Sequence, residues 1–239
     1  LDFAAARGWR RGDNPARWRG HLDNLLPARS KLARVQHHAA LPWQEIGAFM
    51  ADLKRAEGIA PLALRFVILT ASRTGEAIGA RWSEIDLTNA LWTVPAERMK
   101  AGREHRVPLS NGALAVLRQA EMLRISADPA APVFPGARPG SPLSNMALLM
   151  LLRRMNRADL TAHGFRSTFR DWCGESTNHP REVAEAALAH VLSDKTESAY
   201  RRGDALEKRR RLMQDWATFC ARPALPATVT PMRTAKAGE

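Results

Sequence analysis

The sequence predicts a mainly α protein with one small three-stranded antiparallel β-sheet, an α+β arrangement. Two observations carry this. Apolar residues recur at helical spacing from residue 42 to 71 and again beyond Asn111, whereas paired apolar positions broken by turn signals are confined to 85–109. A third is the punctuation: Gly58, Asn89, the Lys100-Ala-Gly-Arg103 tip and the Pro/Gly-rich stretch Pro129–Pro142 fall between these segments.

Residues 1–40 are polar and basic with weak periodicity, and read as a helix remnant followed by a linker able to track a phosphate backbone. A helix is expected from Pro42, a good first helical residue, with Ile46, Phe49, Met50 and Leu53 on one face and Gly58 as its stop. A buried helix follows near Leu62–Ala71. Ile85, Leu87, Trp92, Val94, Val107 and Leu109 then mark a β-meander whose hairpin tip is Lys100–Arg103. Helices are expected near 111–124, 144–157, 164–175, 180–189 and 194–201, with a longer one near 205–219. The tail after Arg222 holds no periodicity and is expected to be mobile or to dock on a partner. These segments group as 1–40, 41–221 and 222–239.

The 239 residues carry 36 Lys+Arg against 24 Asp+Glu, a formal charge of +12 with a sequence pI near 11.0. Such a balance points to a polyanion, and nucleic acid leads over an acidic protein surface or an anionic membrane. Arg outnumbers Lys 30 to 6, which suits bidentate phosphate contacts but also follows from GC-rich codon usage. Codon usage does not remove acidic residues, so the net charge stands. The longest apolar run, Met146–Leu152, is too short to span a bilayer. The two cysteines, Cys173 and Cys220, lie far apart with no CxxC spacing, which suggests neither disulfide nor zinc and fits a reducing cytoplasm. The chain opens on Leu1 without a signal-type segment, and is expected to be a piece of something longer.

Tyrosine occurs once, at Tyr200 in ESAYRRGD. Alone it reads as a half-buried packing residue. Its neighbourhood is more informative: His190 in LAHVL lies ten residues upstream, His163 and Arg166 share a helical face in HGFR, and Arg73 stands where an apolar helix meets a Thr-Gly break.

Taken in order, the ArgTGE segment, a hairpin Lys, HxxR, His and then Tyr resemble the tyrosine recombinase family, and within it the integrases of prophages and genomic islands. The most specific stretches are TASRTGEAIGARWSEIDL, WTVPAERMKAGREHRVPLS, HGFRSTFRDW and EAALAHVLSDKTESAYRRGD, and the likeness runs from about Asn14 to Phe219. It implies the catalytic-domain architecture of that family, with NPARWRGHLDNLLP as the end of a core-binding domain and its linker.

The roles that the resemblance implies agree with the residue chemistry. A phosphodiester under attack gains negative charge on its non-bridging oxygens, which Arg73 and Arg166 would clamp through paired N–H bonds. Tyr200 would attack, and a phenol with pKa near 10 needs a base, for which His163 is the candidate. Lys100, on a flexible tip, would protonate the departing 5′ oxygen, and His190 would donate to the same phosphate. Glu76 would orient His163 or Arg73, or is an ordinary i,i+3 helix pair. The bond energy is kept in a 3′-phosphotyrosyl link, so no cofactor, metal or nucleotide is expected. Double-stranded DNA at attachment sites, a homotetramer on paired sites and accessory DNA-bending or directionality proteins are the implied partners. The implied location is the bacterial cytoplasm, at the nucleoid. Relaxation of supercoils in the manner of a type IB topoisomerase, a catalytically silent DNA-binding protein and a metal-dependent nuclease are the competing readings. The stripe Leu212, Met213, Trp216 and Phe219 suggests a C-terminal helix and tail exchanged between protomers, or one folded back on its own core.

Overall fold

The structure, a computed structural model, describes residues 1–27, 39–190 and 204–223 and falls into two compact units, Leu1–His37 and His38–Glu239. In the first, α1 (Asp2–Ala6) and the single turn α2 (Asp23–Leu25) flank a loop, and none of its described residues is buried. The predicted helix remnant is therefore two short turns.

The second unit contains α3 (Ile46–Arg55), α4 (Ile59–Thr70), α5 (Thr74–Ile78), β1 (Ile85–Asp86), β2 (Leu91–Val94), β3 (His105–Pro108), α6 (Asn111–Met122), α7 (Asn145–Arg154), α8 (Gly164–Ser176), α9 (Arg181–Ala187) and α10 (Leu206–Cys220). Helix α4 is apolar on every side, which only a central position satisfies. Pro61 to Thr70 are all buried, and α3, α6, α7, α8 and α10 surround the helix. The sheet order is β1-β2-β3, antiparallel, with Trp92 paired to Ile85 on one side and Val107 on the other. Trp92 turns inward onto Phe66 at 5.1 Å between ring centroids, and Phe66 meets Phe134 at 5.5 Å. The outer edge of the meander is fixed by Arg98, which pairs with Glu84 and donates to the Glu76 carbonyl, while Glu84 also accepts from Trp92 Nε1 at 3.0 Å.

Several expected elements shift. Pro42 is not the first helical residue: its backbone is extended, with ψ 131°, and a 3-10 turn over Trp43–Glu45 leads into α3. Helix α5 is absent from the sequence reading because five residues starting Thr-Gly carry no periodicity. The helix expected near 194–201 and the tail beyond 223 lie outside the described residues. Gly164, within HGFR, has a packing reason for its identity. A Cβ there would lie 2.1 Å from the Ala39 carbonyl oxygen, so only glycine admits the strand of chain that crosses the start of α8.

Helix α10 settles the reading of its apolar stripe. Leu212, Met213 and Trp216 are buried in this chain's own core, and Trp216 packs on Trp172 at 5.0 Å and edge-on against Phe169 at 5.5 Å. Its Nε1–H donates to the Ile68 carbonyl at 2.8 Å, satisfying an acceptor at the end of α4. An amphipathic stripe needs a cover, and in this chain α4, α6, α9 and β3 supply it, the second of the two readings given for the stripe, while the tail beyond 223 lies outside the described residues. Deleting residues 206–220 is expected to abolish the cooperative unfolding transition. Trp216→Ala should cost about 3–5 kcal/mol in denaturant titrations. A deletion variant that still unfolds cooperatively would place this helix outside the core.

Candidate functional site

Two helix C-termini create the site. Helix α4 ends at Ala71, which sits in the left-handed region with φ 49°. Helix α9 ends in a Schellman turn: the His190 N–H bonds the Glu185 carbonyl at 3.0 Å, the Ala189 N–H bonds that of Ala186 at 3.2 Å, and Ala189 has φ 50°. Both reversals use alanine, which bears a steric cost that glycine avoids. Each leaves carbonyl oxygens facing the same space.

Arg166, on the first turn of α8 and 6% exposed, fills that space. Its Nη1–H donates to the Ala71 carbonyl; its Nη2 donates to Leu188 O at 2.7 Å and lies 3.1 Å from His190 Nε2. A cation between two helix C-termini is favoured by both dipoles. Burial still pulls its pKa down, assisted by the nearby Arg73 and opposed by Glu76 and Glu185, to about 10, so it stays charged at neutral pH. Its Nε–H and second Nη1–H have no partner among the described residues.

Arg73 precedes α5. Glu76, in the first turn of that helix, accepts from the Arg73 backbone N–H at 2.9 Å and from its Nη1 at 2.7 Å, one carboxylate fixing main chain and side chain together. Of the two partners expected for Glu76, the structure pairs it with Arg73. Arg73 Nη2 also points at the Ala189 carbonyl, at 3.4 Å. The two guanidiniums thus meet at the end of α9, and Arg73 keeps 24% of its side chain exposed.

His190 lies at the same place, its ring 40% exposed, with Nδ1 2.6 Å from Glu185 Oε2. His163 is exposed one turn before Arg166, whose N–H bonds the His163 carbonyl at 3.1 Å. Lys100 is exposed at the β2–β3 tip beside Gly102, which has φ +62°. Tyr200 lies outside the described residues. The structure therefore brings Arg73, Glu76, Arg166 and His190 into contact, and puts His163 beside them in sequence and Lys100 on a separate hairpin.

Two residues escaped the sequence reading. Glu185 is buried and also accepts from Arg170 Nε at 2.9 Å. Its burial acts to raise its pKa, but bonds from His190 and Arg170 outweigh that and hold it below the ordinary carboxylate value. His105, on β3, feels Arg209, Glu76 and Arg73; burial first, then Arg209, lowers its pKa to about 4, so the ring is neutral at pH 7. The only signal for Glu185 was its place five residues before a histidine, and for His105 there was none. Cys173 and Cys220 are free and buried; burial raises the Cys173 thiol to about 12. Among the described residues no His/Cys/Asp/Glu group is arranged to hold a metal, and no helix is long and apolar enough to cross a membrane.

What this arrangement offers is two guanidiniums and an imidazole gathered at one helix end, residue types suited to a tetrahedral oxyanion. IntZ, a prophage integrase of Escherichia coli strain K12, is 40% identical over 198 residues, covering 82% of this chain and 47% of its own length. The prophage integrase IntA of the same strain is 41% identical over 152 residues, 63% of this chain and 36% of its own. The chain spans about half or less of the length of these relatives. Among solved structures, the integrase of mycobacterium phage Brujita has a TM-score of 0.56 at 17% identity, covering 94% of this chain and 70% of that one. A lambda integrase fragment, solved as a dimer bound to a core site, has a TM-score of 0.54 at 19% identity over 80% of this chain and 67% of its own. Those two share the fold. Residues 40–207 match the phage integrase family, and with this extent of match and 40% identity to a prophage integrase the chain belongs to that family.

Proposed function

We propose that this chain is the catalytic part of a DNA strand transferase that integrates and excises a prophage or genomic island by site-specific recombination. The observation that supports it most is the convergence of Arg73, Arg166 and His190 on the end of α9, a cradle for one phosphate. In this reading the two guanidiniums hold the non-bridging oxygens and neutralise the charge that grows on them as the phosphorus becomes five-coordinate. Tyr200 attacks, giving up its proton to His163, and becomes joined to the 3′ phosphate. Lys100 delivers a proton to the departing 5′ oxygen, and its exposed hairpin gives the reach that this needs. His190 binds the same phosphate. A 5′ hydroxyl from the partner strand reverses the step, so neither cofactor nor metal is required. Residues 1–40 belong in this reading to the end of a core-binding domain and its linker, 41–221 to the catalytic domain and 222–239 to a docking tail.

The proposed partner is double-stranded DNA at attachment sites, with four copies assembled on paired sites and accessory bending or directionality proteins beside them. Solved relatives support the DNA part, since a lambda integrase tetramer has been solved on a Holliday junction. The proposed location is the bacterial cytoplasm, at the nucleoid.

Three measurements test this reading. On a nicked duplex bearing the site that the full-length protein selects from random-sequence DNA, Tyr200→Phe should abolish covalent adducts while leaving DNA affinity nearly unchanged. Adducts that persist would sink the assignment, because the chain has no second tyrosine. Replacing the bridging 5′ oxygen by sulfur supplies a good leaving group. It should restore cleavage to Lys100→Ala but not to Arg166→Ala, itself slowed by roughly a hundredfold or more, on the scale of losing one oxyanion donor. Equal rescue of both variants would remove Lys100 from the role of acid. Sulfate titrated at constant ionic strength should raise the melting temperature, by about 2–4 °C for each kcal/mol of binding free energy. Arg73→Ala should abolish that rise, and an equal rise in the variant would place the anion elsewhere.

A further inference from the structure

We infer that Glu185 is a positioning residue of the strand-cleavage centre, fixing the tautomer and the direction of the His190 ring. The inference rests on the reading of this site as a phosphate cradle and adds a residue to it. The geometry has three parts.

The first is the backbone. The Schellman turn closes on Glu185 itself, since its carbonyl takes the His190 N–H at 3.0 Å, so main chain and side chain of one residue both grip the histidine. Second, the carboxylate is bound from the far side. Arg170 Nε lies 2.9 Å and Arg181 Nε 3.9 Å from Oε1, leaving Oε2 for the ring at 2.6 Å. A buried carboxylate held by two arginines stays ionised and offers no proton, so the Nδ1 that faces it must carry the hydrogen. Third, the opposite edge of the ring is thereby defined. In the neutral ring Nε2 holds the lone pair and accepts from Arg166 Nη2 at 3.1 Å. When a phosphate oxygen draws the Arg166 donors toward itself, a second proton taken up from solvent lets Nε2 donate to that oxygen, while Nδ1–H remains on Glu185. In both states the ring keeps one orientation.

An amide at position 185 would reverse this order. Arg170 would still demand the oxygen, so the amide N–H groups would face Nδ1 and force the proton onto Nε2, where it meets the Arg166 N–H. That juxtaposition of donors breaks the contact between His190 and Arg166. The wrong tautomer is known to be costly where a carboxylate orients a catalytic imidazole.

The test uses full-length protein labelled with 15N-histidine, the His190 resonances being assigned by their loss in His190→Asn. Long-range proton–nitrogen spectra report which ring nitrogen is protonated above the titration of the ring, and single-turnover cleavage is read on the nicked duplex described above. Wild type should show the Nδ1–H form. E185Q, almost isosteric, should show the Nε2–H form and cleave tenfold to a hundredfold more slowly, the range found when outer-shell partners of histidine are removed, with DNA affinity unchanged. E185D, which keeps the charge, should retain Nδ1–H and recover most of the rate. A purely structural role for Glu185 would lower thermal stability without inverting the tautomer. Retention of Nδ1–H in E185Q, or inversion with cleavage within twofold of wild type, overturns the assignment, and if E185Q does not fold, an E185D protein that shows the Nε2–H form or cleaves more than tenfold below wild type overturns it. A wild-type protein that forms no adduct refutes the strand-cleavage reading. Wild-type adducts alongside an unaffected E185Q refute only the role of Glu185.

Discussion

The buried guanidinium of Arg166 is the constraint around which the second unit is organised. It bridges the carbonyl of Ala71 at the end of α4 and that of Leu188 at the end of α9, elements far apart in sequence. Helix ends carry unpaired acceptors that must be satisfied when buried, and one planar fork satisfies two of them. The same placement sets its Nη2 3.1 Å from His190 Nε2, at the helix end that Arg73 also reaches. Fold closure at these two helix ends is thus served by one side chain.

This arrangement has an electrostatic consequence. Burial first, and then the neighbouring Arg73, hold the pKa of Arg166 below its ordinary value. The compensating carboxylates sit behind the cations: Glu76 grips Arg73 from α5, and Glu185 stands behind His190 on α9.

The hairpin and the last helix frame this centre without forming it. Arg98 ties the hairpin base to Glu84 and to the α5 carbonyl of Glu76, so that Lys100 begins its excursion two residues beyond a fixed point. On the other side Arg209, 1% exposed, donates to the Arg106 carbonyl on β3 and pairs with Asp204 at 2.9 Å. Asp204 is the first described residue after the segment that contains Tyr200. Both networks rigidify the frame and leave the exposed hairpin tip its reach.

The sequence by itself determined the fold class, the central apolar helix and the position of the small sheet. Each of these is written locally, as an apolar run or a turn tip. Only the tertiary structure decided that the stripe of α10 is covered by its own chain, because an amphipathic face looks the same whichever surface covers it. It alone revealed Glu185 and His105, whose roles depend on what lies across from them. It also placed the reversals at Ala71 and Ala189, which glycine would have announced and alanine conceals. Periodicity records which face of an element is buried, whereas the identity of the group opposite is settled by packing between segments that the sequence keeps far apart.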